Sequence, residues 1–254
     1  MSRTRIIVAS HAPYWMPSDE LYLPVHAGAA GKETLPGFQR DDEGENISDR
    51  NARYSELTAL YWAWKNLDAE YIGLAHYRRH FRGAGERGTL TSAEAERLLA
   101  RAPVILPRKR NYYIETVESH YAHTADGEHI DILREVVAEL APEYAEALER
   151  RLAMRTTHIC NMFVMRRDIL DAYCAWLFPI LDKVDARIDY ASLPPYHARA
   201  VGRVAEYLLD VWVDTNGIAY VERSMRILGS RHLVGRVRAF LAAKFLGRKY
   251  DGNF

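Results

Sequence analysis

The chain has 254 residues, of which 48% are hydrophobic, 11% aromatic and 27% charged, a composition typical of a globular protein with one sizeable domain. Its 34 basic and 34 acidic side chains cancel to a formal net charge of zero, which argues against a dedicated nucleic-acid binder because such surfaces are usually basic. Two cysteines, Cys160 and Cys174, are too few for a disulfide scaffold and match no zinc spacing. We expect buried free thiols in a reducing cytoplasm, since no signal peptide or membrane span is recognisable.

The amino-terminal part of the chain predicts short buried strands separated by loops. The β-branched run Arg5–Ser10 predicts a first strand. The prolines of the HAPYWMP segment that follows exclude a helix there, and Leu21–Val25 predicts a second short strand. Residues 27–50 lack periodicity, and structureless segments of this length in compact domains are commonly functional.

The rest of the chain alternates between helices and strands. Leu57, Leu60, Tyr61 and Trp64 recur at three- and four-residue spacing, which predicts a helix over Ser55–Asn66. In chain order there follow a strand at Tyr71–Ala75, a helix that Ser92 opens as its N-cap with Leu98 and Leu99 facing inward, and a strand at Pro103–Pro107. After these we predict helices at Ile130–Leu140 and Pro142–Met154, a strand at His158–Met165, helices at Arg167–Val184 and Arg199–Trp212, and a strand at Ile218–Val221. This alternation predicts a three-layer α/β fold with a mostly parallel central sheet.

The carboxyl-terminal segment is strongly basic. Residues 223–254 contain eight Lys/Arg and one acidic residue, a net charge of +7. Apolar residues of 231–249 fall on one helical stripe, which is typical of an amphipathic helix lying on an anionic membrane. The alternative is a terminal helix packed on the domain with a solvated basic face. We therefore divide the chain into a domain at 1–230 and a basic amphipathic helix at 231–254 that is a candidate for peripheral contact with the inner face of the cell membrane.

Several common catalytic motifs are missing from the sequence. There is no G-x-G-x-x-G, no P-loop and no G-x-S-x-G elbow, and no H-E-x-x-H or C-x-x-C that would indicate zinc. A strict Asp-x-Asp triplet is also absent, and the nearest approximation, Asp68–Glu70, precedes its strand instead of following it. These absences disfavour a phosphate-ester hydrolase and predict a site without a metal or other cofactor.

The strand predicted at Tyr71–Ala75 runs directly into the tetrad His76-Tyr77-Arg78-Arg79. In open α/β sheets, ligands bind beyond the carboxyl ends of strands. Guanidinium groups present a planar set of donors that matches phosphate oxygens. Arg78 and Arg79 are therefore predicted to hold an anionic group, although a pair of arginines is also compatible with ordinary surface ion pairs. His76 is interpreted either as a donor to a phosphate or ribose hydroxyl or as a hydrogen-bonded histidine beneath the site.

The tetrad belongs to a wider resemblance. The motifs NIS…SELTALYWAWKN and HYRR, together with residues 11–28, 158–181 and 202–212, resemble the bacterial capsule and exopolysaccharide glycosyltransferases once catalogued only as a domain of unknown function. The resemblance implies a GT-A-like fold and a UDP-activated sugar, with galactofuranose as a candidate. It also implies transfer onto a lipid-linked glycan in capsule, exopolysaccharide or O-antigen synthesis.

Within this interpretation the remaining polar residues receive candidate roles. His11 and Tyr14 follow the first strand, where base and ribose contacts are expected, and both are also compatible with bracing that loop. A buried amide such as Asn161 must find partners, and a sugar hydroxyl would be one. Side chains of the loop after residue 45 can bond sugar hydroxyls, although such residues also cap helices. These further donor-binding candidates are Asn46, Ser48, Asn51 and Glu56.

An inverting transferase needs a carboxylate that takes the proton of the acceptor hydroxyl. The resemblance implies a carboxylate in the helix predicted at Arg199–Trp212, and Glu206 is the first choice, with Asp210 in reserve. The alternative for Glu206 is an acid near the helix amino terminus that is favoured by the helix dipole. Arg110, Tyr113 and His123 are candidates for binding the acceptor or a phosphate. A different class of protein, a non-catalytic nucleotide- or glycan-binding module, is also compatible with these residues.

Overall fold

A computed structural model describes residues 3–193 and 197–229. The strands are β1 (Thr4–Ser10), β2 (Tyr22–His26), β3 (Gln39–Arg40), β4 (Tyr71–His76), β5 (Arg79–Phe81), β6 (Val104–Pro107), β7 (Arg110–Asn111), β8 (Thr156–Thr157), β9 (Phe163–Arg166), β10 (Val221–Arg223) and β11 (Met225–Ile227). The helices are α1 (Asn51–Tyr54), α2 (Leu57–Asn66), α3 (Ser92–Leu99), α4 (Val117–Thr124), α5 (Glu128–Leu140), α6 (Ala145–Ala153), α7 (Arg167–Arg187) and α8 (Ala200–Thr215).

The main sheet follows the order β10-β6-β9-β4-β1-β2-β3, and β5 and β11 extend it beside β4. Within it β1 pairs in parallel with both β2 and β4, and β10 pairs in parallel with β6. Strand β9 is antiparallel to its two neighbours, β4 and β6. The predicted mostly parallel sheet is confirmed; its antiparallel strands are β9 inside it and the short strands β5 and β11 that extend it.

Two hydrophobic cores flank the sheet because side chains alternate between its faces along each strand. In β1, Ile7 points into the larger core, which contains residues of α2, α5, α6, α7 and α8. Ile6 and Val8 point into the smaller core on the other face, which contains Leu99 of α3. Helices therefore cover both faces of the sheet, as the three-layer prediction requires.

Some predicted boundaries differ from the structure because local backbone geometry interrupts the pattern. The strand predicted at His158–Met165 begins only at Phe163, since Cys160 and Asn161 adopt left-handed φ values of 72° and 50°. The helix predicted to start at Ser55 starts at Leu57, because Ser55 itself has φ 54°. Helix α4 was not predicted; it buries only Val117 and Tyr121.

The last strand and the tail complete the comparison with the sequence. The strand predicted at Ile218–Val221 lies instead at Val221–Arg223. The predicted amphipathic helix at 231–254 falls outside the described residues. Cys160 and Cys174 are free and buried, as expected. Over residues 3–193 and 197–229, no helix is both long and apolar enough to cross a membrane.

Candidate active site

The His76–Arg79 tetrad forms a tight hairpin at the carboxyl end of β4. His76 is the last residue of β4 and pairs with Arg79, the first residue of β5. Tyr77 and Arg78 make the turn between them. Since His76 also lies beside Ala9 of β1 in a parallel register, the hairpin stands at the edge where the adjacent strands β1 and β4 both end. This is the edge that the sequence predicted for the site.

The ring of His76 is fixed by the backbone of a neighbouring turn. Its Nε2 lies 2.6 Å from the carbonyl oxygen of Cys160, and because a carbonyl only accepts, Nε2 carries the proton. Burial lowers the pKa of His76, and the charges of Arg79 and Arg199 act in the same direction against the opposing charge of Glu56. The neutral imidazole therefore braces the turn at Cys160, and a contact of His76 with a phosphate or ribose hydroxyl of the donor stays a prediction.

Asn161 links three separate segments beneath the same edge. Its amide Nδ2 donates to Oε1 of Glu56 at 2.8 Å and to the carbonyl of Gly202 at 3.0 Å. The same Glu56 oxygen lies 3.9 Å from Nε2 of His76. The Asn161 side chain is buried, and its Oδ1 has no hydrogen-bond partner within the described part of the chain. Asn161, Glu56 and His76 thus meet, although they are 105 positions apart at the extremes.

Glu206, the candidate base, lies in surroundings that change its pKa strongly. It is the seventh residue of α8, too far into the helix for an amino-terminal dipole effect to explain it. The side chain keeps some contact with solvent, but the surrounding protein raises the pKa of Glu206 to about 7. Burial is the largest cause and the nearby Glu56 charge adds to it, whereas a hydrogen bond from the Cys160 backbone and the charges of Arg79 and Arg203 oppose it. At neutral pH such a carboxylate can accept a proton.

The two arginines of the tetrad occupy different surroundings. Arg79 is half-buried and close enough to Glu206 for its charge to lower the pKa of that carboxyl. Arg78 is exposed, and its guanidinium carbon lies 5.2 Å from the ring centroid of Tyr77 and 6.0 Å from that of Tyr14. Arg79 therefore faces the acidic part of the site and Arg78 the aromatic part.

Aromatic rings form the outer side of the cleft. Tyr14 and Tyr77 stack with their centroids 4.0 Å apart, and His11 meets Tyr77 edge-on at 5.3 Å. Burial lowers the pKa of His11, and the charges of Arg199, Lys32 and Arg78 lower it further. Residues from the loop after β1 and from the hairpin therefore surround an electropositive opening with π faces, a combination that can receive an aromatic base and its phosphates.

The donor-binding candidates Asn46, Ser48 and Asn51 form hydrogen bonds with nearby residues of the region 30–58. Asn46 Nδ2 donates to the carbonyls of Asp42 and Gly44 at 3.1 and 2.8 Å, and its Oδ1 accepts from the Ser48 backbone at 3.1 Å. The Ser48 hydroxyl is buried and accepts from the Ala30 amide at 3.1 Å. Asn51 Nδ2 donates to the Ser55 carbonyl at 2.7 Å and to the Thr58 hydroxyl at 3.1 Å. Donor binding by these three stays a prediction, and it requires breaking bonds that now hold the loop.

The acceptor candidates lie on a neighbouring segment. His123 Nδ1 lies 2.6 Å from a carboxylate oxygen of the buried Glu115, and His120 Nδ1 lies 2.9 Å from the other oxygen. Arg110 is exposed on β7, and its charge acts on both His120 and Cys160. Tyr113 is 75% exposed. This segment therefore borders the cleft through Arg110, and its role in acceptor binding stays a prediction.

Asp210, the reserve choice for the base, is unsuited to that role. It is fully buried and accepts hydrogen bonds from the Thr157 hydroxyl at 2.8 Å and the His158 amide at 3.0 Å. It also pairs with the side chains of His158 and Arg151. Although burial acts to raise the pKa of Asp210, the His158 bond and these charges dominate and lower it to about 2. Asp210 is a structural anion of the core.

Three features of the cleft were not recognised from the sequence. The first is the stacking of Tyr77 on Tyr14; Tyr77 belongs to the tetrad His76–Arg79, so its presence at the strand end was visible in the sequence. Arg199 precedes α8 and donates to the Ser55 hydroxyl at 3.0 Å, a contact between residues 144 positions apart that no local pattern signals. The left-handed turn at Cys160 and Asn161 supplies backbone groups to His76 and Glu206. Non-glycine residues in this conformation are uncommon and cluster at functional sites.

Metal binding was also considered. In the part of the chain that the structure describes, no group of three or more His, Cys, Asp or Glu side chains has the arrangement to hold a metal ion. That the proposed reaction needs no metal ion stays a prediction. At the opposite edge of the sheet a cavity of about 170 Å³ lies beside the first residues of β1 and β4. It does not contain the clustered charges of the cleft.

The fold corresponds to a known class of α/β protein. Among solved structures, the apo form of the WbbM bifunctional glycosyltransferase matches with a TM-score of 0.81 and 26% identity, over 89% of this chain and 45% of that one. The chain thus spans less than half of the length of that protein. A GT-A-like glycosyltransferase fold is confirmed.

The family can also be stated. A family model described as "Domain of unknown function (DUF4422)" matches residues 5–217, and the chain belongs to this family. Glucosyl-3-phosphoglycerate synthase from Mycobacterium tuberculosis, in complex with Mg²⁺ and UDP, is also similar, but with a TM-score of 0.33, 12% identity and coverage of 98% of this chain and 82% of that one. No curated protein matches the chain.

Proposed function

We propose that the protein is a glycosyltransferase that moves a hexose from a UDP-sugar onto a lipid-linked glycan. UDP-galactofuranose is the preferred donor, and the product belongs to capsule, exopolysaccharide or O-antigen synthesis. The observation that carries the proposal is Glu206, a partly exposed residue whose pKa burial raises to about 7 and whose carboxyl lies within reach of the charge of the half-buried Arg79. The similarity to a glycosyltransferase over 89% of the chain supports it.

The proposed reaction is a direct displacement at the anomeric carbon. Glu206 accepts the proton of the acceptor hydroxyl while that oxygen forms a bond to the anomeric carbon. The bond from this carbon to the diphosphate oxygen breaks, and its electron pair leaves with UDP. Arg79 stabilises the negative charge that develops on the leaving group, and Arg78 contributes from the exposed side of the hairpin. Direct displacement inverts the anomeric configuration.

The nucleotide is proposed to occupy the aromatic side of the cleft. The uracil ring would stack on the Tyr14–Tyr77 pair, and His11 would contact the ribose or base. The positive charges of Arg78, Arg199 and Lys32, which already lower the pKa of His11, would attract the diphosphate. Fixed guanidinium groups take the part that a divalent cation plays in metal-dependent transferases, so we propose a reaction without metal.

The test uses the purified protein with a panel of UDP- and dTDP-hexoses. The preferred donor should raise the melting temperature, and its UDP should be released when a lipid-linked glycan acceptor is added. Turnover should continue in EDTA; a strict requirement for Mn²⁺ would contradict the metal-free mechanism. Donor binding without any turnover across a range of acceptors would favour the alternative, a non-catalytic nucleotide- or glycan-binding module.

A further inference from the structure

A basic and apolar surface lies beside the cleft, on a segment to which the proposed chemistry assigns no task. It consists of residues 108–114 together with Met154 and Arg155, and we call it the basic apolar patch. Three large apolar side chains are exposed in it, Tyr113 by 75%, Ile114 by 53% and Met154 by 43%. Soluble proteins rarely expose large apolar side chains side by side unless the surface binds something.

The patch carries a single sign of charge. Its four cations are Arg108, Lys109, Arg110 and Arg155, and it contains no acidic residue. Arg108, Arg110 and Arg155 are exposed and Lys109 is half-buried. Over residues 3–193 and 197–229, none of these four forms an ion pair. The ligand of this surface should therefore be both apolar and negatively charged.

The apolar tip of the patch is held in place. Tyr112 is buried and stacks on His120 with ring centroids 4.0 Å apart, while its amide donates to the Arg155 carbonyl at 2.8 Å. Arg155 Nη1 in turn donates to the Tyr113 carbonyl at 3.1 Å. Tyr113 has φ 58°, a conformation that non-glycine residues adopt only where the surroundings impose it. The next side chains after an anchored tyrosine are thus presented outwards.

We propose that the basic apolar patch docks the protein on the surface of an anionic lipid bilayer. Tyr113, Ile114 and Met154 would enter the interfacial region, where amphipathic tyrosine rings and aliphatic side chains are favoured. The four cations would contact lipid phosphates, and each basic residue near such a surface adds to binding. An acidic protein surface would pair with the cations, but burial of the exposed side chains of Tyr113, Ile114 and Met154 is favoured more by a lipid interface.

The location of the patch gives docking a consequence. Arg110 belongs both to the patch and to the surroundings of the cleft, since its charge acts on Cys160, whose backbone contacts His76 and Glu206. A docked protein would thus hold the cleft next to the membrane. Delivery of a lipid-linked acceptor to Glu206 by this route rests on the proposed function, whereas docking itself does not.

The decisive experiment labels the patch in the full chain. Cys160 and Cys174 are buried, so an exposed cysteine introduced as Ile114→Cys can be labelled selectively with an environment-sensitive fluorophore. The matched control is Leu140→Cys, because Leu140 is 46% exposed at the end of α5, outside the patch. With vesicles of phosphatidylglycerol and phosphatidylcholine, emission should shift to the blue at position 114 and stay unchanged at 140. High salt should reduce the shift.

Three results would overturn the proposal. The first is an unchanged spectrum at position 114, which would place any membrane contact in another part of the chain. The second is an equal change at 114 and 140, which would indicate non-specific adsorption. The third is a shift that depends on protein concentration without vesicles, which would mean that a second copy of the chain covers the patch.

A flotation assay gives an independent measurement. The double variant Tyr113→Ser with Ile114→Ser should partition onto the anionic vesicles roughly tenfold more weakly than wild type, because it loses most of the apolar surface that would enter the interface. Leu140→Ser should partition like wild type. Equal partition of all three proteins would contradict docking by the patch. Since neither assay measures sugar transfer, a protein that docks without catalysing transfer would refute the proposed function alone.

Discussion

Two polar clusters of the molecule differ in how completely hydrogen bonds satisfy their carboxylates. Around Asp41 every acceptor is used: its fully buried carboxylate accepts from the Gly28 amide at 2.8 Å, the Ala29 amide at 2.9 Å and the hydroxyls of Ser48 and Thr58. In the cleft, burial raises the pKa of Glu206 to about 7, and the nearby charge of Glu56 adds to the shift.

The difference separates structure from chemistry. A satisfied network stabilises and orders the backbone, whereas groups with perturbed pKa values in a cleft are candidates for catalysis. The two clusters share the polar segment 41–58, which supplies Asp41, Ser48 and Thr58 to one and Glu56 to the other, so richness in polar residues does not distinguish them. The variants below test whether activity belongs to one cluster and stability to the other.

Glu206→Gln should have the largest effect on activity. If the Glu206 carboxylate takes the acceptor proton, the side-chain amide of the variant cannot, because it is not a base at neutral pH. The kcat should therefore fall by about 10²–10⁴-fold. The wild-type rate should rise with pH through about 7, where Glu206 ionises. The measurement is a pH profile of UDP release for both proteins. A wild-type profile that is flat between pH 5 and 8 would count against Glu206 as the base.

The same variant should be more stable than wild type at high pH. The pKa of Glu206 in the folded protein, about 7, lies above its ordinary value of 4.5, so the folded state favours the protonated form. The stability from this preference is fully present below the unfolded pKa and is lost as the pH rises through 7. Glu206→Gln, a mimic of the protonated side chain, should therefore gain about 1–3 kcal/mol at pH 8 and little at pH 4.5. Denaturant unfolding at the two pH values is the check.

Arg79→Ala should reduce activity more than Arg78→Ala. Arg79 is half-buried beside Glu206, so its loss should lower kcat by about 10²–10³-fold, the range for removal of a group that stabilises developing charge. Arg78 is exposed, and the screening of its charge by water limits the loss to about tenfold or less. Arg101→Ala serves as the control, since this exposed arginine follows Ala100 at the opposite edge of the sheet. A larger loss of kcat for Arg78→Ala than for Arg79→Ala would indicate that the diphosphate binds on the exposed side of the hairpin.

Asp41→Asn should affect stability and leave the chemistry nearly intact. An amide at this buried position presents N–H groups where backbone N–H groups now donate, and the unsatisfied donors should lower the free energy of unfolding by about 1–3 kcal/mol. The kcat per folded molecule should stay within about threefold of wild type, because Asp41 bonds only to loop and helix groups of its own cluster. Denaturant unfolding and a transfer assay on the same sample measure both. A loss of kcat with unchanged stability would show that this loop acts in catalysis.

Much of the fold follows from local patterns. The buried runs at Arg5–Ser10 and Tyr71–Ala75 and the apolar spacing of α2, α7 and α8 predicted elements that the structure contains. The hairpin lies at the strand edge where the tetrad predicted it. Such features are local because a strand or helix is specified by the period of its own side chains.

The geometry of the cleft does not follow in this way. The left-handed φ at Cys160 has no sequence signal, and Asn161, although asparagine adopts this conformation more often than most residues, stands in an apolar run that predicted a strand. The turn therefore shortens the strand predicted at His158–Met165. Likewise, the apolar run around Asn161 indicates that its amide is buried but not that it binds Glu56.

The sequence by itself determined the α/β class, the position of the arginines after β4 and the presence of a carboxyl on α8. Only the tertiary structure decided that Glu206 carries a raised pKa while Asp210, one turn further along the same helix, carries a lowered one. The reason is physical: both are acids on one helix, but desolvation and neighbouring charges depend on residues that are distant in sequence and adjacent only after folding.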